Sequence, residues 1–401
     1  MTSARTSLWI GTYPAAGAGS PAGLGEGIWR VELDARSGTF GAAELVAVTP
    51  SPSFVAAHPS GRVLYAVGEL TAGTVTAFSV PSRTAAHVVH DDPVHDDPAP
   101  HDPAPHDPAH RDPASGPLAV LDVVDSGGAD PCHLLLAPDA RTLYVANYSS
   151  GTLGVLPLDA DGRFTVEVRA QSGPVQVFGH AGSGPDASRQ DGPHAHFVAI
   201  APGGQFVVVA DLGTDELRRY ARDTASGLLA AAGIAATLPP GTGPRHLAFA
   251  PDGRTAYVVG ELDVCVHVLA WDPVTASGTL VQSLPAGPPP GPLGQVSGGP
   301  ASPRVLPSHV ELDDDRLLVA VRTSDVLVGY SVVADGTLVA DGATALPGAW
   351  PRHFALVDGT VVVAAQVGDV LVALRPGEGT VPWVVASVLP LPAPACVVPA
   401  A

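Results

Sequence analysis

The chain has 401 residues and a formal net charge of −19, because it carries 39 acidic and 20 basic side chains. A protein of this charge repels the phosphate backbone of nucleic acids and anionic membranes, so neither is an expected partner. All 20 basic residues are arginine. This excludes Schiff-base chemistry on a lysine, including pyridoxal phosphate anchoring, and leaves arginine to hold any anionic substrate.

The composition favours a globular all-β protein. Apolar residues make up 46% of the chain, while 45 Gly and 42 Pro interrupt every long apolar stretch. No stretch reaches the ~18 apolar residues of a membrane span, and the N-terminus lacks the apolar region of a signal peptide. The cysteines lie far apart and indicate neither a disulfide framework nor a zinc site: Cys132, Cys265 and Cys396. We therefore expect an unexported, cytoplasmic protein.

A repeated unit organises the chain. Each full copy has an apolar run, a tight turn of the Pro-Asp-Gly-Arg type and a second apolar run. After an opening strand-like segment at residues 8–33, the copies follow at residues 53–67, 133–147, 196–210 and 246–259. Two degenerate copies begin at His309 and His353. Seven units spaced at roughly 40–60 residues are typical of propeller blades.

The repeat predicts a single seven-bladed β-propeller over residues 1–401. A β-sandwich would also be all-β, but it does not explain a repeated unit. A propeller closes its ring by pairing strands from both ends of the chain, so we expect residues 388–398 to pair near residues 8–13. From about 85 to 115 the repeat is broken by a His-, Asp- and Pro-rich insertion, which we expect to be disordered and without a fixed metal site.

Five histidines occupy the same position in successive repeats, just before the first strand. We expect them to ring one mouth of the central channel, or to bond the backbone of a neighbouring blade: His133, His196, His246, His309 and His353. Three carboxylates, Glu69, Asp211 and Glu261, end the second strand of a repeat. Other blades carry Asn147, Arg322 or Gln366 at the position that the repeat makes equivalent, which favours a shared pocket. For Asp211 we expect either a role in that pocket or a structural pairing within the protein.

Several of these residues stand in longer motifs that resemble one known family. The motifs include Gly11-Thr12-Tyr13, Pro193-His194-Ala195-His196, Asp211-Leu212-Gly213, Gly243-Pro244-Arg245-His246, Pro351-Arg352 and Pro394-Ala395-Cys396. In this order they resemble the propeller-type lactonases, which include bacterial 6-phosphogluconolactonases and, more distantly, fungal carboxymuconate cyclases. The resemblance runs from Leu8 to Val398, apart from the insertion.

The resemblance implies a carboxylic ester hydrolase of the pentose phosphate pathway that acts on an anionic sugar lactone without a cofactor or metal. It places the site on His196, Arg245, Glu261 and Arg322. We expect Glu261 or His196 to activate water and Arg245 to stabilise the oxyanion. Arg322 with Arg352 is expected to bind the substrate anion, and the other residues expected to bind substrate are His194, Asp211, His246 and Glu69. Two alternatives stay open, a cyclising enzyme acting on a muconate-type dicarboxylate and a non-catalytic binding propeller.

Overall fold

The computed structural model describes residues 5–13, 25–81, 117–287, 305–377 and 383–401. Within these ranges, 28 strands form seven four-stranded antiparallel sheets. The fold is therefore a seven-bladed β-propeller, as the repeat predicts. The expected insertion at about 85–115 lies outside the described residues.

The strands are numbered in chain order. The first three are β1 (Arg5–Thr12), β2 (Gly27–Asp34) and β3 (Thr39–Val48). Blade 1 consists of β4 (Val55–Ala57), β5 (Val63–Gly68), β6 (Thr74–Ser79) and β7 (Ala119–Asp125). Blade 2 consists of β8 (Pro131–Leu136), β9 (Thr142–Asn147), β10 (Thr152–Pro157) and β11 (Gln176–Gly179). Blade 3 consists of β12 (Ala195–Ile200), β13 (Phe206–Asp211), β14 (Glu216–Arg222) and β15 (Leu229–Thr237).

The remaining blades repeat this order from the channel outward. Blade 4 consists of β16 (Pro244–Phe249), β17 (Thr255–Gly260), β18 (Cys265–Asp272) and β19 (Ser277–Pro285). Blade 5 consists of β20 (Leu306–Asp313), β21 (Arg316–Arg322), β22 (Val326–Val332) and β23 (Leu338–Ala345). Blade 6 consists of β24 (Pro351–Val357), β25 (Thr360–Ala365), β26 (Val370–Pro376) and β27 (Trp383–Pro390), and β28 (Pro394–Pro399) follows. Within the described ranges the one helix is α1 (Val166–Ala170), and no helix there is long and apolar enough to cross a membrane.

Blade 7 joins the two ends of the chain. Strand β28 is its innermost strand and pairs antiparallel with β1, with Leu8 opposite Pro399 and Gly11 opposite Cys396. Strands β2 and β3 complete the blade on its outer side. The predicted closure is confirmed for residues 394–398, which places the motif Pro394-Ala395-Cys396 on the channel wall, whereas residues 388–390 pair with β26.

The second strand of each blade carries most of the core, because neighbouring blades cover both of its faces. This burial explains why these strands read as continuous apolar runs rather than as alternating ones. Their recurrent tyrosine is buried, and its hydroxyl donates to a carbonyl in the next blade. Tyr144 donates to Gly227 at 2.7 Å and Tyr257 to Gly336 at 3.0 Å. The tyrosine of the repeat therefore links blades 1, 2 and 4 to their successors through Tyr65, Tyr144 and Tyr257.

A bulge near the start of the innermost strand sets which side chains face the channel mouth. In six blades, one residue is skipped between a Pro or Ala and the next paired residue. The skipped residues are Cys132, His196, Arg245, Ser308, Arg352 and Ala395. His196 is therefore equivalent to Arg245 and Arg352, and the expectation that it shares a position with the other four histidines is wrong by one residue. The error arises because Phe197 stands at the histidine position of blade 3, and His196 precedes it by one residue.

Beneath these bulged residues, one layer of rings fills the channel. Neighbouring ring centroids lie 4.0–5.9 Å apart. The layer consists of Phe54, His133, Phe197, His246, His309 and His353, with Cys396 from blade 7. Nδ1 of His133 accepts the Val198 N–H at 3.3 Å, and Nδ1 of His353 accepts the Val397 N–H at 3.4 Å. For these two histidines, the expected bond to a neighbouring blade is confirmed.

A single carboxylate lies one layer deeper. Glu311 follows His309 by two residues on β20, so both side chains point into the channel. Oε1 of Glu311 lies 3.1 Å from Nε2 of His309, and Oε2 accepts the Leu356 N–H at 3.3 Å. Burial raises the pKa of Glu311 to about 7, although the Leu356 N–H opposes the shift. The other blades place mostly alanine at this level, so the channel wall there is small and apolar: Ala56, Ala199, Ala248 and Ala355.

Candidate functional site

The ends of the second strands supply the outer part of the channel mouth. Each ring-layer residue pairs with one residue of the second strand of its blade. The residue two positions after that partner is therefore equivalent in all seven blades. These positions hold Tyr13, Glu69, Tyr148, Leu212, Glu261, Arg322 and Gln366. Asn147 and Asp211 come one residue earlier, opposite Pro131 and Ala195, so their predicted equivalence with Glu261 is wrong. Tyr148 is the blade 2 member of the mouth.

Asp211 is fully buried and holds the backbone around it. Its Oδ1 accepts the N–H groups of His194, Gly213 and Thr214 at 2.9–3.1 Å. Its Oδ2 contacts Nε2 of His180. Both oxygens are therefore engaged within the protein, which is the structural pairing left open by the sequence. Asp211 shapes the segment that leads into β12 and His196.

Glu261 is the centre of the mouth. Its Oε2 lies 2.9 Å from Nε of Arg245 and contacts the guanidinium of Arg322, and its Oε1 lies 2.6 Å from Arg189. The side chains of Glu261, Arg245 and Arg322 are only 2–3% exposed. Burial alone would raise the pKa of Glu261, but Arg322, Arg189 and Arg245 hold it well below its usual value. Glu261 is thus an anion surrounded by three cations.

Backbone carbonyls also accept hydrogen bonds from Arg245 and Arg322. Arg245 donates to the Ser308 carbonyl, and Arg322 donates to the carbonyls of Leu306 at 3.1 Å and Pro307 at 3.2 Å. The ring of Trp350 lies 5.3 Å from the Arg322 guanidinium carbon, at cation–π distance. These contacts fix both guanidiniums in place before any substrate arrives.

Arg189 reaches the same carboxylate from a loop outside the blades. Its guanidinium also donates to the Tyr148 hydroxyl at 3.2 Å, and its side chain is 20% exposed. Burial lowers the pKa of Arg189, but Glu261 and Tyr148 outweigh burial and raise it above its ordinary value. The next residue, Gln190, is fully buried and donates to Asp215 at 2.7 Å and to the Leu212 carbonyl at 2.9 Å. The loop is therefore anchored directly beside the arginine.

Asp215 links this loop to the segment before Arg245. Its Oδ1 also accepts the Gly243 N–H at 2.8 Å, and its Oδ2 accepts the Gly241 N–H at 2.7 Å. Gly243 has a φ of +59° and lies against the Leu262 side chain, 2.5 Å from where a Cβ would stand. Glycine is required there for both reasons. One buried carboxylate thus sets the positions of both Arg189 and Arg245.

A second ion pair lies across the mouth. Arg352 is 3.5 Å from Oε2 of Glu69, whose Oε1 accepts the Tyr13 hydroxyl at 2.8 Å. The Arg352 guanidinium carbon lies 5.0 Å from the centre of the Tyr13 ring. Burial and Glu69 raise the pKa of Tyr13, so the phenol stays protonated and donates. Arg352 and Glu69, both predicted from the sequence, therefore lie together.

His196 lies at the mouth between these groups. Its Nδ1 is buried without a hydrogen-bond partner among the described residues, and its ring meets Tyr148 edge-on at 5.6 Å. Burial, followed by the charge of Arg245, lowers the pKa of His196 well below its usual value. The imidazole is therefore neutral at physiological pH. The same shift weakens His196 as a base, and the nearby charge that favours its protonated form is Glu261.

The other two predicted histidines are already bonded. His194 stacks on Tyr148 at 4.5 Å and its Nδ1 lies 3.0 Å from the Tyr148 carbonyl oxygen. His246 lies in the ring layer, where its Nδ1 is 2.7 Å from Nδ1 of His309. The structure thus places His194 at the rim and His246 beneath His196, at a ring distance of 5.4 Å.

One group of metal-type ligands occurs among the described residues. Donor atoms of His309, Glu311 and His353 all lie within 4.8 Å of one another. His353 already accepts a backbone N–H, and His309 and Glu311 bond each other. Since these residues satisfy one another, we assign no metal to them. The absence of a metal from the reaction stays a prediction.

Sequence reasoning missed Arg189 and Tyr148. The repeat was aligned one residue too early in blade 2, so Asn147 was predicted at the position that Tyr148 occupies. Arg189 belongs to no repeat, and its loop shows no pattern that connects it with Glu261, 72 residues further along the chain. The packing of blade 4 beside blade 3 brings the two together.

Comparison with known proteins gives a consistent result. The model of a family described as a lactonase with a seven-bladed β-propeller matches residues 7–101 and 109–399. The 6-phosphogluconolactonase of Bacillus subtilis is 28% identical over 279 residues, which cover 69% of this chain and 66% of that protein. Two Lactococcus lactis proteins without an assigned function are 26% identical over 249 residues. The matched segments therefore span two thirds or less of these relatives.

Solved structures match over nearly the whole length. The periplasmic gluconolactonase of Pseudomonas aeruginosa is 26% identical, with a TM-score of 0.77 and 99% of both chains covered. A Lactobacillus plantarum protein solved by structural genomics is 24% identical, with a TM-score of 0.77 and coverage of 98% of this chain and 99% of that one. The second likeness shows the fold alone.

Proposed function

We propose that this chain, which belongs to the family of lactonases built on a seven-bladed β-propeller, hydrolyses a sugar lactone at the channel mouth. The observation that carries the proposal is the arrangement around Glu261, where fixed guanidiniums lie beside a neutral histidine. Ester hydrolysis needs a group that accepts a proton from water and a positive group that stabilises the oxyanion. The mouth offers both within one buried cluster.

His196 is the proposed general base. Both oxygens of Glu261 are occupied by guanidiniums, whereas Nδ1 of His196 has no partner among the described residues. A water between His196 and the lactone carbonyl would give its proton to the imidazole as it attacks. Glu261 then acts chiefly by holding the arginines in place, and the positive charge of these arginines stabilises the anionic intermediate.

Arg245 is the proposed oxyanion stabiliser. It occupies the bulge position equivalent to that of His196 on the neighbouring blade, so the two side chains enter the mouth side by side. Its position is fixed in advance by Glu261 and the Ser308 carbonyl. A preorganised charge of this kind stabilises the transition state without the cost of reorganisation during the reaction. The scheme requires no metal.

The proposed substrate is 6-phosphogluconolactone, by similarity to the Bacillus subtilis relative, which is named a 6-phosphogluconolactonase. Acid release from freshly prepared 6-phosphogluconolactone and from δ-gluconolactone tests this, with EDTA present and the spontaneous rate subtracted. We expect turnover of at least one lactone well above the spontaneous rate. No acceleration of either would contradict the proposal, and turnover of a muconate-type dicarboxylate in its place would identify a cyclising enzyme.

The cytoplasmic location and the pentose phosphate role are part of the same proposal. The gluconolactonase relative from Pseudomonas aeruginosa is described as periplasmic, so family membership alone does not decide the location. Cell fractionation with an antibody against the chain tests it. We expect the protein in the cytoplasmic fraction, and recovery in another fraction would contradict this part of the proposal.

A further inference from the structure

Three guanidiniums meet one carboxylate at the mouth, and this leaves positive charge in excess. Arg189, Arg245 and Arg322 all contact Glu261, so the cluster carries two positive charges that Glu261 does not balance. This local excess stands out in a protein with a net charge of −19. A ligand with an anionic substituent would be attracted to the cluster.

The three arginines differ in how firmly they are held. Arg245 and Arg322 are 2% exposed and donate to backbone carbonyls as well as to Glu261. Arg189 is 20% exposed, and its hydrogen bonds go to Oε1 of Glu261 and to the Tyr148 hydroxyl. Arg189 is therefore the guanidinium of this cluster that a ligand from solvent meets first.

Moving Arg189 away from Glu261 breaks one charge-assisted hydrogen bond, and the anionic ligand must offset that cost. Oε2 of Glu261 keeps its contacts with Arg245 and Arg322, so the carboxylate stays paired. The loop itself need not move, because Gln190 anchors it through Asp215 and the Leu212 carbonyl. Only the arginine side chain has to turn, and a guanidinium binds a phosphate with two parallel hydrogen bonds.

We propose that Arg189 is the specificity-determining residue of the site: it exchanges Glu261 for the anionic substituent of the lactone and so selects phosphorylated over neutral substrates. This inference rests on the proposed lactone hydrolysis. The exchange also frees Oε1 of Glu261 to accept a hydrogen bond from a sugar hydroxyl. It adds Arg189 to Arg322 and Arg352, which the sequence predicts to bind the substrate anion and which are both buried.

The test compares two lactones in two variants. In Arg189→Gln we expect kcat/KM for 6-phosphogluconolactone to fall about 10- to 100-fold, as for loss of one charge-assisted contact, mainly through KM. For δ-gluconolactone, kcat/KM should stay within about twofold of wild type. The matched control is Arg218→Gln, because Arg218 is 19% exposed and pairs with Glu216 at 2.6 Å, away from Glu261. It should change neither value.

The outcomes separate this inference from the proposed function. If wild type hydrolyses neither lactone, the proposed function itself fails. If wild type hydrolyses both, and Arg189→Gln lowers both values equally or neither, the function stands and the role of Arg189 is overturned. A wild type that prefers the neutral lactone would also overturn it. If Arg189→Gln does not fold, Arg189→Lys keeps the charge but loses the planar fork, and the ratio of the two kcat/KM values should still fall severalfold.

Discussion

Replacing Glu311 by Gln should stabilise the protein at neutral and alkaline pH but not in acid. The pKa of Glu311 is about 7 in the folded protein, against an ordinary value of 4.5, because burial in the channel disfavours the charged form. An acid whose pKa is raised by folding binds its proton more tightly in the folded state. Stability is therefore lost as the pH rises from the unfolded to the folded pKa, here between about 4.5 and 7.

A pKa shift of this size corresponds to about 3 kcal/mol in the free energy of unfolding. Because the Glu311 side chain is 30% exposed to the channel, we expect Glu311→Gln to raise the free energy of unfolding at high pH by about 2 kcal/mol. Urea unfolding of wild type and Glu311→Gln at pH 4, 6 and 8 measures it. The variant should match wild type at the lowest pH and exceed it by the full amount at the highest. Glu44→Gln, at an exposed surface pair with Arg30, serves as the control. A stability difference that does not change with pH, or a variant less stable than wild type at pH 8, would contradict a raised pKa of Glu311 in the folded protein.

Three further substitutions test the packing of the site and the fold. Glu261→Gln should lower the free energy of unfolding by about 3–5 kcal/mol, because Arg245 and Arg322 would stay buried without a counter-charge; urea unfolding beside wild type measures this, and a loss below about 1 kcal/mol would contradict it. Asp211→Ala should cost about 3 kcal/mol or more, since three backbone N–H groups lose their acceptor; hydrogen exchange at His194, Gly213 and Thr214 should quicken, and unchanged protection would count against this role. Tyr257→Phe should cost only about 1 kcal/mol, because one hydrogen bond to the Gly336 carbonyl is lost and the ring remains packed; a thermal melt beside wild type checks it, and a severe loss would show that the hydroxyl does more.

The blade architecture could be predicted from the sequence because it rests on local patterns that recur. The Pro-Asp-Gly-Arg turn is visible wherever an Asp side chain caps the turn, as when Asp252 accepts the Arg254 N–H at 2.9 Å. The apolar runs reflect burial between blades, which every repeat shares. Ring closure followed from the requirement that an edge strand be paired, and β28 against β1 meets it.

The site was predicted only in part, because it depends on exact register and on contacts between distant segments. Phe197 takes the histidine position of blade 3, so the histidine one residue before it was grouped with His133. Asp211 is equivalent to Gly260, so grouping it with Glu261 was also wrong by one residue. The cluster of Glu261, Arg245 and Arg322 was predicted from the family resemblance. That resemblance compares motifs in chain order and does not depend on aligning one repeat with another. Arg189 had no such signal, because its loop lies outside the repeats.

The most direct test of lactone hydrolysis at this site is the initial rate of 6-phosphogluconolactone hydrolysis by wild type and by His196→Gln, with EDTA present. His196 suits this test because its Nδ1 has no partner among the described residues, so its replacement should disturb the fold little. We predict rapid wild-type turnover that the chelator does not affect and a loss of about 100-fold or more in kcat for the variant. A wild-type rate equal to the spontaneous one, or a fully active variant, would contradict the account.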